Sequence, residues 1–238
     1  YGEDSTLAAA MGSAYTRGIQ KQGDGECRAE SVAKHYMGFH QSEGGIHGTV
    51  CSIPERLLRE VYGLPFQAAI AEENLRGVMP CYCSIGGEPV SAYEHLLTQI
   101  LRQEMGFDGV AVADYSAVSN VHHTQKLYET EAEAGLACLS AGMDVELPDT
   151  VCFNEEMKAM FAQGKADMAL LDQAVRRVLR AKFRMGLFEH PFALTGSALS
   201  EMVHHPEDEL ITLQSALESL VLLKYDNHVL PVGKNVRK

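Results

Sequence analysis

The chain has 238 residues, 46% of them hydrophobic, and a formal net charge of −12 at pH 7. A chain of this length and composition can bury a sizeable core in one domain or two. Its acidic residues are spread along the sequence, which argues against nucleic acid or an anionic membrane surface as a partner. No apolar run approaches the roughly 20 residues of a membrane helix, and YGEDSTLAAA at the N-terminus lacks a signal-peptide pattern.

Helix and strand patterns alternate along most of the chain. Helical periodicity or composition covers residues 6–20, 54–63, 65–75, 92–105, 130–142 and 168–183. Short apolar strand patterns cover residues 31–36, 77–82, 109–114 and 143–148. Because these strands are continuous apolar runs, they are typical of an α/β fold with a parallel sheet covered by helices. Periodicity leaves open whether the four βα units are half of an eight-stranded barrel or a small doubly wound sheet.

Polar side chains stand at the end of each predicted strand. They are Lys34 and His35, then Tyr82, then Asp114, and finally Asp144 with Glu146. The carboxyl ends of parallel strands carry the chemistry of α/β folds, since the loops converge there. Asp114 follows the apolar run GVAVA and has two interpretations, a catalytic carboxylate or an aspartate that orders a loop. For Asp144 and Glu146 loop capping is the favoured interpretation.

Two other groups of residues are weighed and set aside. His35, His40, Glu43 and His47 are close in sequence, but the glycines between them give no fixed ligand geometry. The six cysteines lack the spacing of a disulfide scaffold and are interpreted as mostly buried free thiols. Cys81 and Cys83 flank Tyr82 on one strand and point to one face, which indicates packing. Neither a metal site nor a cofactor is therefore expected.

Several blocks of sequence resemble glycoside hydrolase family 3 in consecutive order. They are YGEDSTLAAAMGSAYTRGIQ, AKHYMGFHQSEGG, ERLLREVYGLPFQAAI, VMPCYCSIGGEPVSA, LLTQILRQEMGFDGVAVADYSAV and AGMDVELP. The resemblance runs from residue 1 to about residue 190. It implies a (β/α)8-type barrel followed by an α/β sandwich domain, and a retaining mechanism on β-linked glucosides or xylosides. The alternative is a non-catalytic carbohydrate-binding or interaction fragment of the same scaffold.

The resemblance assigns roles to six residues. Asp114 occupies the position of the nucleophile. Lys34 and His35 match a lysine–histidine pair that binds sugar hydroxyls, and Tyr82 matches a tyrosine beside the nucleophile. Met79 is expected to line the same wall. Tyr115 stands where many members carry tryptophan, which implies a smaller aromatic platform for the leaving group.

The resemblance also predicts how the chain is divided. Residues 1–190 correspond to the second half of the barrel, residues 191–215 to a linker, and residues 216–238 to the first strand of the sandwich domain. The first half of the barrel and the acid/base glutamate, which the family takes from a later domain, have no match. We therefore expect that activity requires the remaining barrel half and the C-terminal domain, in the same parent chain or in another.

Overall fold

The computed structural model describes residues 1–20, 29–203, 205–228 and 230–235. The chain forms two compact units, Tyr1–Glu189 and His190–Lys238. Within the described ranges, no helix combines the length and apolar character that a membrane crossing requires.

The first unit contains seven α-helices and two π-helices among its described residues. They are α1 (Ser5–Gln20), α2 (Glu55–Leu57), π1 (Leu58–Tyr62), α3 (Leu64–Glu73), π2 (His95–Glu104), α4 (Ala117–His123), α5 (Glu131–Ala141), α6 (Glu155–Ala162) and α7 (Met168–Arg184). Local sequence sets several of these boundaries. At α5, the Thr130 side chain and Glu133 form a reciprocal capping box, and the helix ends at Gly142, whose φ is 120°.

The strands of this unit form two small sheets. They are β1 (Val32–Tyr36), β2 (Val50–Cys51), β3 (Gly77–Pro80), β4 (Ser84–Ile85), β5 (Glu88–Pro89) and β6 (Val110–Ala111). The first sheet has the order β1-β3-β6 with all strands parallel, and a parallel bridge from Val112 to Val145 extends it. In the second sheet, β4 pairs in parallel with β2 and antiparallel with β5.

Two glycines permit the close approach of the strands in the first sheet. A Cβ atom on Gly77 would lie 2.7 Å from Val32 Cγ2, and one on Gly109 would lie 2.1 Å from the carbonyl oxygen of Arg76. Both distances are shorter than a carbon can tolerate without displacing a neighbour. These glycines therefore allow β1, β3 and β6 to start side by side, so that their carboxyl ends reach the same edge.

The core lies between this sheet and the surrounding helices. Its largest fully buried side chains come from β1, β3, π2 and α4 and from the segments between elements: Tyr36, Met37, Leu75, Val78, Val90, Leu96, Leu97, Ile100, Leu101, Val118, Val121 and Met143. The Tyr36 hydroxyl donates to the carbonyl oxygen of Leu96 at 3.0 Å, which satisfies the one polar group of that buried ring. The apolar strand runs and the face of π2 thus pack as their sequence patterns predict.

The α/β class and the parallel orientation of the strands are confirmed. The structure adds elements that periodicity did not predict, namely the second sheet and helices α4 and α6. The strand predicted for residues 143–148 is reduced to the bridge at Val145.

The second unit is helical over most of its described residues. It contains α8 (Gly196–Met202), α9 (Pro206–Glu218) and a 3₁₀ turn at Asp226–His228. Residues 219–225 lie outside these elements. The interpretation of residues 191–215 as a linker and of residues 216–238 as the start of another domain stays a prediction.

Candidate active site

Asp114 lies where the third parallel strand gives way to helix α4. The strand end is fixed by the hydrogen bond from the Ala113 N–H to the Val145 carbonyl, 2.9 Å long. A sharp turn follows, because Ser116 adopts a left-handed conformation with φ 61°. The half-buried carboxylate uses Oδ1 to accept the Tyr115 N–H at 2.8 Å. Asp114 is thus held by a rigid strand on one side and by a helix start on the other.

His35 is the ionisable group in direct contact with the second carboxylate oxygen. Its Nε2 lies 3.2 Å from Asp114 Oδ2, and both side chains are largely shielded from solvent. Burial lowers the pKa of His35, and the charge of Lys34 lowers it further, whereas Asp114 acts in the opposite direction. The imidazole is therefore biased toward its neutral form and donates a hydrogen bond to the carboxylate when Nε2 carries the proton.

Tyr82 approaches the same carboxylate from the end of β3. Its hydroxyl donates to the Tyr115 carbonyl at 2.7 Å, within the residue that follows Asp114. Burial, together with the neighbouring Asp114 carboxylate, raises the pKa of Tyr82 to about 12. The phenol therefore stays protonated near neutral pH and remains a hydrogen-bond donor.

The other three residues assigned from sequence surround this centre less directly. Lys34 and Met79 are register partners on β1 and β3, with Lys34 exposed and Met79 half-buried. The Lys34 charge acts on His35. Tyr115 is 63% exposed, so its ring is free to contact a ligand that approaches Asp114. Among the hydrogen bonds and ion pairs described for the Asp114 side chain, the partners are His35 and the Tyr115 N–H.

The loop after β1 brings further rings beside Tyr82. The His47 ring centroid lies 4.8 Å from that of Tyr82 and 5.2 Å from that of Phe39, which also packs on His35 and His40. His35, His40 and His47 thus pack against aromatic rings. The residues that the structure describes include no group of three or more His, Cys, Asp or Glu side chains placed to hold a metal ion.

The cysteines beside Tyr82 are packed in the core. Cys51, Cys81, Cys83, Cys138 and Cys152 are buried free thiols, which confirms that part of the sequence interpretation. Ser42 Oγ lies 3.1 Å from Cys83 Sγ. Cys27 lies outside the described residues.

Asp144 and Glu146 do not join Asp114. Asp144 is fully buried and paired with two arginines, Arg102 and Arg177, at 2.8 Å each. Glu146 accepts the backbone N–H groups of Cys152 and Phe153 at 2.8–3.0 Å. Glu146 therefore orders the following loop, as the favoured interpretation held, whereas Asp144 is part of a buried ion-pair network that the sequence did not indicate.

One polar contact near the centre was missed at the sequence level. Gln125, two residues beyond the end of α4, donates from Nε2 to the carbonyl oxygen of Tyr82 at 3.2 Å. The two residues are separated by 43 positions in the chain. No motif marks Gln125, since a lone glutamine after a helix is an ordinary surface residue.

The site can perform nucleophilic chemistry. It presents a carboxylate on a rigid strand end, with a histidine in contact with it, a tyrosine bonded to the backbone of the next residue, and an exposed aromatic ring beside it. Among the hydrogen bonds and ion pairs described for Asp114, none involves a second carboxyl group. Asp114 is therefore the one carboxylate that the described contacts identify at this centre.

The chain is similar along nearly its whole length to known glycosidases. It is 35% identical over 245 residues to a beta-xylosidase of Formosa agariphila, with 98% of this chain and 33% of that protein covered. It is 34% identical over 248 residues to a lysosomal beta glucosidase of Dictyostelium discoideum, with 100% of this chain and 30% of that protein covered. The chain thus spans about a third of the length of these curated relatives.

Solved structures agree with these relatives. A β-glucosidase from Erythrobacter marinus superposes with a TM-score of 0.89 at 31% identity, over 97% of this chain and 31% of that one. A β-glucosidase from Listeria innocua in complex with gluconolactone gives a TM-score of 0.87 at 29% identity, over 98% and 32% of the two chains. The family model for the glycosyl hydrolase family 3 N terminal domain matches residues 1–181. The chain therefore belongs to glycosyl hydrolase family 3.

Proposed function

We propose that the protein containing this chain is a retaining glycosidase that hydrolyses β-linked glucosides or xylosides, with Asp114 as its nucleophile. The observation that carries the proposal is the placement of Asp114 at a parallel strand end, with His35 at 3.2 Å from its carboxylate. Relatives named beta-xylosidase and beta-glucosidase support the substrate class.

The reaction has two displacements. A carboxylate oxygen of Asp114 attacks the anomeric carbon, the bond from that carbon to the leaving-group oxygen breaks, and a separate carboxylic acid gives that oxygen a proton. Water then attacks the anomeric carbon, returns a proton to the second carboxyl group and releases Asp114 as a carboxylate. Retaining enzymes hold their two carboxyl groups about 5 Å apart. In the proposed enzyme the second group is supplied by a part of the protein other than this chain.

The neighbours of Asp114 have distinct roles in this proposal. The His35 imidazole contacts the carboxylate directly and orients it. The Tyr82 phenol acts one residue further on, since it donates to the Tyr115 carbonyl. Lys34 binds a sugar hydroxyl on the exposed side of β1, and Met79 forms the adjacent wall. Tyr115 stacks against the leaving group, because its ring is open to solvent beside the nucleophile.

The architecture of the whole protein is part of the same proposal. Residues 1–190 are the second half of a (β/α)8 barrel, residues 191–215 are a linker, and residues 216–238 begin an α/β sandwich domain. Three observations support the barrel half: four strand segments in parallel order, helices between them, and solved β-glucosidase relatives about three times as long. The missing barrel strands and the later domain complete the sugar site.

Labelling with a 2-deoxy-2-fluoro-glycoside that carries a good leaving group tests the nucleophile. The fluorine slows breakdown of the glycosyl-enzyme, so the label accumulates and peptide mapping locates it. We expect the full-length protein to be labelled on Asp114 and Asp114→Asn to lose turnover by several orders of magnitude while keeping its thermal midpoint. Asp149→Asn, on an exposed loop, is the matched control and should keep full activity. A label on Glu43 or Asp144 would contradict the assignment.

A further inference from the structure

Tyr82 is held at both ends by residues that flank helix α4. Its hydroxyl donates to the carbonyl of Tyr115, two residues before the helix, and its own carbonyl accepts from Gln125, two residues after it. Asp114 lies three residues before α4, and its neighbour Tyr115 is one of the two residues that hold Tyr82. Tyr82 is thus linked to the chain on both sides of this helix, including the residue next to the nucleophile candidate.

Gln125 itself is placed by the end of that helix. Its backbone N–H donates to the Asn120 carbonyl at 2.8 Å, and the next residue, Lys126, turns the chain away with φ 58°. The half-buried side chain then extends toward β3, where Nε2 also lies 3.5 Å from Ser84 Oγ. The amide oxygen is buried and has no hydrogen-bond partner among the described residues. Burial of the unpaired amide oxygen is unfavourable, so the hydrogen bond from Nε2 to the Tyr82 carbonyl is the interaction that favours this position of the side chain.

We propose that Gln125 is a positioning residue for the glycosidase reaction, which acts by fixing the backbone of Tyr82 and thereby the hydroxyl that holds the Tyr115 carbonyl, next to Asp114 in the chain. This inference rests on the proposed function of Asp114. Gln125 touches neither the carboxylate nor a ligand site, so its effect passes through Tyr82. Displacement of a catalytic group by a fraction of an ångström lowers the rate of its own step without changing how tightly the remote parts of a ligand bind.

The test is the rate at which the fluoro-glycoside labels Asp114 in the full-length protein. Gln125→Met keeps the length of the side chain and removes its donor. We expect the maximal labelling rate constant to fall about tenfold, with the concentration for half-maximal rate unchanged. Because a rate constant is measured on the molecules that react, an unfolded fraction changes its amplitude and not its value. Gln99→Met removes a glutamine contact to His95 on the surface of π2 and should label at the wild-type rate.

Two further variants separate positioning from a general structural role. Gln125→Lys restores an N–H donor at similar reach and should recover most of the lost rate, even if Gln125→Met folds poorly. In a Tyr82→Phe background the phenol is absent, so Gln125→Met should slow labelling by less than about twofold. Equal rates for wild type and Gln125→Met would overturn the inference, as would a tenfold loss that persists in the Tyr82→Phe background. A wild-type protein that is never labelled on Asp114 would instead overturn the proposed function, and the inference with it.

Discussion

The residues around Asp114 show how one carboxylate is kept ready to react. Oδ1 accepts a backbone N–H from Tyr115, and Oδ2 faces the His35 ring. The two contacts together fix the orientation of the carboxylate that we propose as the nucleophile. His35 itself is half-buried, and Lys34 adds a positive charge beside it, which explains why its pKa lies below the ordinary value. The contact is therefore better described as a hydrogen bond from a neutral His35 ring to the Asp114 carboxylate than as an ion pair.

The charge balance at His35 can be measured. Asp114 is the one neighbour that raises the pKa of His35, whereas burial, Lys34, His40 and His47 all lower it. We therefore expect Asp114→Asn to lower the pKa of His35 further, in an NMR titration of the labelled histidines of this chain. His95 is the internal control, since Gln99 and Glu55 set its pKa at a distant surface and its midpoint should not move. An unchanged or raised His35 midpoint would show that the two side chains do not interact in solution.

The same shift has a consequence for stability. A histidine in an unfolded chain has a pKa near ~6.5, and folding lowers that of His35. As the pH falls through the unfolded value, the unfolded chain therefore binds a proton that the folded chain does not. The contribution of His35 is fully present above that pH and is lost as the pH falls below it, until the folded group is also protonated. Asp114→Asn should lower the pKa of His35 in the folded chain further, so the decrease in unfolding free energy should continue to a lower pH than in the wild type.

At the scale of elements, the site depends on a network on the far side of the third parallel strand. The Arg102 guanidinium, from π2, donates to Asp144 Oδ2 and to the carbonyls of Gly109 and Gly142. Asp144 Oδ2 also accepts the Ala111 N–H from β6, and Oδ1 accepts from Arg177 on α7. One buried carboxylate thus joins two helices to the strand that leads to Asp114.

Removal of that carboxylate should destabilise the fold without touching the site chemistry. Asp144→Asn leaves the guanidinium of Arg102, itself almost fully buried, without its counter-ion. Breaking a buried ion pair by removal of one partner costs about 3–5 kcal/mol of unfolding free energy. Urea denaturation of wild type and variant measures this difference. Asp149→Asn, on the exposed loop that follows, should change the free energy of unfolding by less than about 0.5 kcal/mol. Equal stabilities for the two variants would contradict the assigned role of the network.

The elements also show what a sequence can and cannot predict. The helices with a long apolar face and the apolar strands were predictable, because π2 and β3 bury the residues that their patterns mark. Helix α4 was not, since AVSNVHH is short and rich in residues with modest helix propensity, and burial of Val118 and Val121 is what stabilises it. The second sheet pairs two-residue strands that are distant in sequence, such as β2 and β4, and such pairings leave no periodic signal.

Some residues of the candidate site could be predicted from the sequence and others could not. Asp114 and Tyr82 could be singled out because each ends a recognisable strand within a family-like block, and the structure places the Tyr82 hydroxyl on the carbonyl of the residue after Asp114. Their catalytic roles stay predictions. The contact from Gln125 to Tyr82 was not predictable, because it depends on where α4 ends in space. Asp144 was predicted at the end of a strand that the structure reduces to the bridge at Val145, and the sequence does not tell that two arginines from separate helices enclose its side chain.

At the scale of the whole molecule, the first sheet suggests what the chain needs from its parent. β1 lies at one edge of the sheet order β1-β3-β6, and the described residues provide no strand on its outer side. Val32, on that strand, is 44% exposed. An unpaired parallel edge beside exposed apolar side chains is normally covered by further chain. In the proposed architecture the missing half of the barrel pairs with this edge and completes the pocket around Lys34 and Asp114.

The chain alone should therefore be a poor catalyst, because two carboxyl groups with opposed pKa values are needed and only Asp114 is identified among the described residues. A purified 238-residue monomer should release no glucose from cellobiose, whose leaving group needs a proton, and at most a trace of nitrophenol from an activated aryl glycoside. Co-expression with the remaining segments should restore cellobiose hydrolysis, and restoration should fail with Asp114→Asn. If the monomer, free of host glucosidase, cleaved cellobiose at an ordinary enzymatic rate, a glutamate or aspartate within these residues would have to be the acid, and the proposed division of the site between segments would be wrong.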